Sequence, residues 1–176
     1  LLAFLGAGYT HKDKSIFQDN VLRAVKWLAG IQKADGTFTQ KKADGHWQYN
    51  EFICCLAVSE AYGMSRDPWL RGIAQKSVDY IVANQTPYSG WRYAPKADSD
   101  TSVVGWATMA LKSAKMAGLK VDGAAFQGIS TYLDKVTERG ADGKVEVTYH
   151  PEERISGGFE QDTRCTTAIG MLCRQF

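Results

Sequence analysis

The feature that most constrains this chain is a repeated apolar segment that ends in a glycine. Its three copies run over residues 2–8, 56–63 and 111–118, and a short loop follows each copy. A glycine directly after an apolar helical segment is the usual residue at a helix C-terminus. After each loop, apolar residues recur at helical spacing, which predicts a second helix. We therefore predict a series of helical hairpins, at about residues 1–33, 50–85, 101–137 and, incompletely, 163–176.

The two helices of each predicted hairpin have different patterns. The first helices contain segments that are apolar on every side, residues 52–58 and 103–107, which is typical of buried helices. The second helices place charged residues such as Arg23 and Lys26 opposite their apolar face. This alternation predicts an all-α fold in two layers, with buried inner helices and amphipathic outer helices. Stacked hairpins of this kind run on as a solenoid or close into a ring.

A second repeat lies in the turns that follow the outer helices. Its residues are Gln32, Gly36 and Phe38 in one copy and Gln85, Gly90 and Trp91 in the other. A glutamine at the end of a helix can bind free backbone groups, and an aromatic residue after a glycine can close the turn. We therefore favour a packing role for the two aromatic residues.

The glutamine and aromatic pattern resembles the QW repeat of squalene–hopene cyclases and oxidosqualene cyclases. These enzymes have the α/α-toroid fold, which they share with the β subunits of protein prenyltransferases. The resemblance implies an α/α toroid, or an arc of one, over a single domain of residues 1–176. Because the chain begins and ends within apolar, helix-like sequence, we expect it to be a piece of a longer protein.

The toroid resemblance also implies a ligand. Toroid proteins commonly bind isoprenoid chains in the cavity that their inner helices surround, so we expect a hydrophobic or isoprenoid-like small molecule, or a partner protein. The aromatic and acidic residues near the predicted helix starts would form the mouth of such a cavity. The predicted ligand-binding residues are Trp47, Tyr49, Glu51, Trp91, Tyr93, Trp106 and Asp162.

One acidic motif bears on catalysis. Squalene–hopene cyclases protonate an alkene with the middle acid of an Asp-x-Asp-Asp-Thr motif, and this chain has Asp98-Ser99-Asp100-Thr101. Ser99 therefore occupies the position of the proton donor, and a serine cannot protonate an alkene. Two functions remain open. The first is a non-catalytic toroid domain that binds a hydrophobic ligand, a glycan or a protein. The second is a cyclase that uses Asp98 or Asp100 as its acid.

The same acidic residues have a simpler interpretation as helix caps. An aspartate or asparagine before an apolar helix accepts hydrogen bonds from the first free N–H groups and favours the positive end of the helix dipole. We predict this role for Asp100 and Asp162, and also for Asn50 before the helix of residues 52–58. Capping is the favoured interpretation of the two aspartates.

Charge and hydropathy exclude several classes of function. The chain has 176 residues, with 21 basic and 19 acidic ones, and no basic run. Nucleic-acid-binding surfaces normally contain clustered Lys and Arg, so nucleic acid is not an expected partner. The apolar run at residues 1–8 is far shorter than the ~20 residues of a membrane span.

The cysteines and histidines suggest no cofactor or metal. Cys54, Cys55, Cys165 and Cys173 form no CxxC pair and lie in apolar sequence, so we predict buried, reduced thiols and favour a cytoplasmic setting. A zinc site built from Asp162, Cys165 and His150 would have no recognisable motif. We therefore predict neither a metal site nor a cofactor.

Overall fold

The computed structural model describes residues 1–40, 45–141, 143–154 and 163–176. Helix accounts for 60% of the structure, which confirms the all-α prediction at the level of fold class. The α-helices of the described residues are α1 (Leu2–Gly6), α2 (Gln18–Ile31), α3 (Gln48–Ser65), α4 (Pro68–Ala83), α5 (Thr101–Met116), α6 (Gly123–Val136) and α7 (Arg164–Arg174). The remaining elements are β1 (Thr137–Arg139), β2 (Val145–Val147) and a 3₁₀ turn at Pro151–Arg154.

Within the described ranges, every helix is too short or too polar to cross a lipid bilayer. This agrees with the prediction that the chain contains no membrane span.

The chain forms two compact units. Unit 1 comprises Leu1–Ala83 and Ala110–Val121, and unit 2 comprises Asn84–Met109 and Asp122–Phe176. Helix α5 therefore contributes its first half to unit 2 and its second half to unit 1.

In unit 1, α3 packs against α1, α2 and α4. Helix α2 buries Val21, Val25 and Leu28 and exposes Lys26, so it has the amphipathic character predicted for an outer helix. Helix α3 has no exposed residue from Glu51 to Tyr62, as predicted for an inner helix. The predicted and observed patterns agree because burial requires apolar residues on every contacting face.

In unit 2, α7 packs against α6 and against β2. Strands β1 and β2 form an antiparallel hairpin in which Glu138 pairs with Glu146. The sequence analysis did not predict this hairpin. Its signal is the alternation from Val145 to Thr148 after Gly143, which is a short-strand pattern.

Two local predictions were wrong. Asn50 lies inside α3, which begins at Gln48, so it cannot cap that helix. Cys165 is exposed near the start of α7 rather than buried, because it lies on the same exposed side of the helix as Ala168 and Leu172. Cys55 and Cys173 are buried as predicted, and Cys54 is half-buried.

Candidate functional site

The turn after α2 is built around Gln32. Its Nε2 donates to the carbonyl of Gly36 at 3.3 Å and to the carbonyl of Ile73 in α4 at 2.9 Å. The backbone of the turn is closed by a bond from Lys33 N to Thr37 O at 2.8 Å. The Phe38 side chain is 2% exposed, so it packs into the interior as predicted.

The turn after α4 repeats this geometry around Gln85. Its Nε2 donates to the carbonyl of Ser89 at 2.7 Å and to the carbonyl of Ala125 in α6 at 3.0 Å. The closing bond runs from Thr86 N to Gly90 O at 2.8 Å. Trp91 is 1% exposed. Gln32 thus joins its turn to α4, and Gln85 joins its turn to α6, which explains the spacing of the repeated residues.

The first turn approaches α4 and the second turn approaches α6 very closely, and a glycine permits the approach in each case. Gly36 adopts a φ of +91°, and a Cβ atom on it would lie 2.3 Å from the carbonyl oxygen of Lys76 in α4. In the second turn the glycine is on the helix instead. A Cβ atom on Gly128 of α6 would lie 2.6 Å from the carbonyl oxygen of Ser89.

Glu51 completes the first turn. Its carboxylate, which is 1% exposed, accepts from Phe38 N at 2.7 Å and from Thr39 N at 3.0 Å. Trp47 is 8% exposed, and its carbonyl accepts from the Thr39 hydroxyl. These contacts place both predicted ligand-binding residues in the interior of unit 1, where they support the turn.

The second turn leads into a polar cluster, which we call the Asp98 cluster and define as Arg92, Asp98, Asp100, Tyr149 and His150. Asp98 Oδ2 accepts from Arg92 NH1 at 2.8 Å and from His150 Nε2 at 2.7 Å. Asp98 Oδ1 accepts from Ser99 N at 2.7 Å. Arg92 Nε lies 3.7 Å from Asp100 Oδ2. The structure therefore brings the two predicted catalytic acids to the same arginine.

His150 is held in this cluster through both of its ring nitrogens. Its Nδ1 accepts from the backbone N–H of Glu152 at 3.2 Å, so the proton of the neutral ring lies on Nε2, which faces Asp98. The chain before His150 is held to α6 by the bond from the Tyr132 hydroxyl to Tyr149 O at 3.0 Å. The position of this histidine thus depends on the segment after β2.

Asp98 has the properties of an anchored anion. Burial by itself would raise the pKa of Asp98, but the hydrogen bonds from Ser99 N–H, His150 and Arg92 together lower it. Its side chain is 45% exposed. A carboxylate held in this way stays ionised and accessible, which makes it a poor proton donor.

Asp100 has the opposite properties. It is fully buried, and its Oδ1 accepts from Val103 N at 2.9 Å, which is the N-cap bond predicted for α5. Burial raises the pKa of Asp100, although Val103 N–H, Ser102, Arg92 and the Tyr149 hydroxyl all favour the ionised form. Its Oδ2 is buried and makes no hydrogen bond with any residue in the described ranges.

Ser99 stabilises the second turn through its side chain. Its side-chain oxygen accepts from Gly90 N at 2.9 Å and lies 2.8 Å from Ser89 Oγ. The residue is 2% exposed. Ser99 is therefore a buried hydroxyl that closes a tight turn.

The other predicted ligand-binding residues are spread over both units. Tyr49 is half-buried in α3, and Trp106 is half-buried in α5. Tyr93 is half-buried, and its hydroxyl lies 2.5 Å from the Tyr149 hydroxyl at the side of the Asp98 cluster. Asp162 lies outside the described residues.

Unit 1 also contains an apolar groove that the sequence analysis missed. Its volume is about 520 Å³, and its floor includes Ile53 and Cys54 on α3. Trp27 of α2, which is 64% exposed, forms one side. Burial raises the pKa of Cys54 to about 12, so its thiol stays protonated. The remaining lining residues are Leu1, Leu2, Ala3, Ala24, Leu28 and Ala57.

A sequence signal for this groove existed. Trp27 lies one position beyond Lys26, on the side of α2 away from the buried stripe of Val21, Val25 and Leu28. A large aromatic residue on the polar face of an amphipathic helix indicates a surface with a use beyond packing.

No family model matches the chain, and no curated protein or solved structure matches it either. Among the described residues, no group of three or more His, Cys, Asp or Glu side chains could hold a metal ion.

Proposed function

We propose that this chain is a non-catalytic domain of the α/α-toroid type that binds a hydrophobic, isoprenoid-like small molecule in the groove of unit 1. The observation that carries the proposal is the groove itself. It is open, lined almost entirely by apolar side chains and about 520 Å³ in volume, which lies within the range of ordinary small-molecule sites. The repeated glutamine turns support the toroid type, because they join successive outer helices in the same way.

The chemistry of the acidic motif supports a role without catalysis. Ser99 is engaged in its turn, Asp98 is held as an anion, and Asp100 caps α5. The protonated Cys54 thiol offers no nucleophile in the groove. A site with apolar walls and no activated group binds its ligand and releases it unchanged.

The experiment is a titration with farnesyl diphosphate and with its hydrocarbon relative farnesene, followed by native mass spectrometry and extraction of products. We expect binding of the intact molecule. Trp27→Ala should weaken it roughly tenfold, since removing a large aromatic contact costs on the order of 1–2 kcal/mol. Trp69→Ala is the matched control, because Trp69 is also exposed in unit 1 but does not line the groove. Equal affinity in wild type and Trp27→Ala would contradict the proposal.

One observation favours the alternative function, a terpene cyclase. Asp100 is a buried acid with a raised pKa, and such a group can donate a proton. The same incubation tests this alternative with squalene as the probe. A cyclised product that disappears in Asp100→Asn would establish catalysis and exclude the non-catalytic proposal.

A further inference from the structure

A second pocket lies in unit 1, between α3 and the second half of α5. Its volume is about 200 Å³, and it shares no lining residue with the apolar groove. The two segments come close at Gly63, where a Cβ atom would lie 3.1 Å from the Cβ atom of Ala117. Both walls belong to the same compact unit. The other lining residues are Ser59, Glu60, Met64, Ser113 and Met116.

The pocket contains one carboxylate, that of Glu60. The residue is half-buried, and its Oε1 accepts a hydrogen bond from the Ser113 hydroxyl. Within the described part of the chain, its Oε2 has no hydrogen-bond donor and the carboxylate has no ion-pair partner. None of the residues that line the pocket is basic. The pocket therefore holds a negative charge that the described residues do not neutralise.

Two methionines give the pocket apolar walls on opposite helices. Met64 on α3 is 41% exposed, and Met116 on α5 is 72% exposed. A methionine side chain adapts its shape to a ligand, and its sulfur is a weak acceptor that cannot donate. Together with Glu60, the two methionines thus offer acceptors, negative charge and apolar contact. They favour a ligand that carries a positive charge, hydrogen-bond donors and a short apolar group.

The remaining carboxylate oxygen distinguishes between kinds of cation. A guanidinium pairs best with both oxygens of a carboxylate, but Ser113 already binds Oε1. A magnesium or calcium ion requires several oxygen ligands, and the pocket supplies a single carboxylate. An ammonium group is a compact charge that one oxygen can bind. The lining is therefore matched to an ammonium group with an alkyl substituent.

We propose that this pocket binds a small organic cation of the alkylammonium class. The ammonium group donates to Glu60 Oε2, and the alkyl group packs between Met64 and Met116. A volume of about 200 Å³ accommodates about six water-sized groups of ~30 Å³ each, which limits the ligand to a short alkyl chain. Because the pocket shares no residue with the apolar groove, either proposal can fail without the other.

The test measures binding of n-butylammonium by protein-observed NMR titration, with n-butanol as an uncharged probe of similar size. We expect saturable binding of n-butylammonium and roughly tenfold weaker binding of n-butanol, because a hydrogen bond between charged groups is replaced by a weaker one. Glu60→Gln keeps the shape of the side chain and removes its charge, so it should weaken n-butylammonium binding by a similar factor. Met116→Ala should weaken binding of both probes.

The matched control is Asp79→Asn. Asp79 lies on α4 of the same unit, accepts from Gln75 Nε2 at 2.8 Å and does not line the pocket. This variant removes the same charge as Glu60→Gln and should bind n-butylammonium as the wild type does. The comparison of the two probes on the wild-type chain does not depend on the folding of any variant. The proposal is overturned if n-butylammonium does not bind saturably, if n-butanol binds as tightly, or if Glu60→Gln and Asp79→Asn lose equal affinity.

Discussion

The turns at residues 32–38 and 85–91 have the same backbone and glutamine bonds, but the acids that follow them differ in use. In unit 1, both oxygens of Glu51 accept from backbone N–H groups of the turn. In unit 2, one oxygen of Asp100 caps α5, and the other lies 3.7 Å from Arg92 Nε. The same turn geometry is therefore found beside buried acids that have two different roles. The first acid closes its turn, whereas the second caps a helix and pairs with an arginine.

The largest expected effect concerns Glu51. Glu51→Ala leaves the N–H groups of Phe38 and Thr39 buried without an acceptor, so it should lower the free energy of unfolding by roughly 3 kcal/mol or more. Glu51→Gln keeps one acceptor oxygen and should cost less. Urea denaturation measures both. If Glu51→Ala is as stable as wild type, the first acid is not structural and the comparison fails.

The close approach of turn and helix gives the next effect. Gly36→Ala places a Cβ atom against Lys76 and strains a positive φ, so we expect a loss of roughly 2–4 kcal/mol in unfolding free energy. Gly128→Ala should cost about 1–3 kcal/mol through the clash with Ser89.

The control for these glycines is Gly72→Ala in α4, where a Cβ atom would meet nothing within 4 Å. Because alanine is the better helix former, this variant should gain about 0.5–1 kcal/mol. Thermal unfolding of the three variants ranks them by stability. Similar losses in all three would show that the contacts with Lys76 and Ser89 do not matter.

The two glutamines should be interchangeable in their energetic role. Gln32→Ala and Gln85→Ala each remove two hydrogen bonds to backbone carbonyls, and each should lose about 1–2 kcal/mol. Chemical denaturation of both variants compares the two turns directly. A loss in only one of them would mean that the repeated geometry is not a repeated stabilisation.

The cap on α5 predicts a smaller loss. Asp100→Ala should destabilise the chain by about 1 kcal/mol, whereas Asp100→Asn should remain close to wild type because asparagine also caps helices well. Differential scanning calorimetry separates these variants. An unchanged melting temperature in Asp100→Ala would rule out the cap.

The smallest effect is the pH dependence of Asp98. The folded state lowers its pKa, so the ionised carboxylate stabilises the fold above its ordinary pKa, and this contribution disappears as the pH falls through the lowered value. The difference in melting temperature between wild type and Asp98→Asn should therefore shrink from pH 7 to pH 3. A difference that grows on acidification would contradict the assigned direction.

The sequence predicted the parts of the fold that depend on periodicity. Helical spacing located the long helices α2 to α6, and the glutamine and aromatic spacing located both turns. The β-hairpin was missed because its strands are three residues long, so the alternation from Val145 to Thr148 is brief. Asn50 was misplaced because Gln48 and Tyr49 extend α3 at its start without an obvious cap.

The candidate sites were less predictable, because they depend on contacts between distant positions. The sequence singled out Asp98 and Asp100, yet nothing local indicates that His150 binds Asp98 from 52 positions away. The burial of Asp100 and its pairing with Arg92 depend on the fold. Trp27 was a sequence signal for the groove, but it does not show which residues of α3 line it.

The glycines at the two turns have a consequence for how repeats diverge. The missing side chain lies on the turn in one copy, at Gly36, and on the facing helix in the other, at Gly128. The close contact therefore requires a glycine at either one of two facing positions, and not at one fixed position of the repeat. In one copy of the repeat the glycine can lie on the turn, and in another copy it can lie on the facing helix. The two copies then have different residues at both positions. A search for related repeats should score the two facing positions together. A comparison of single positions does not detect that one of the two is always a glycine.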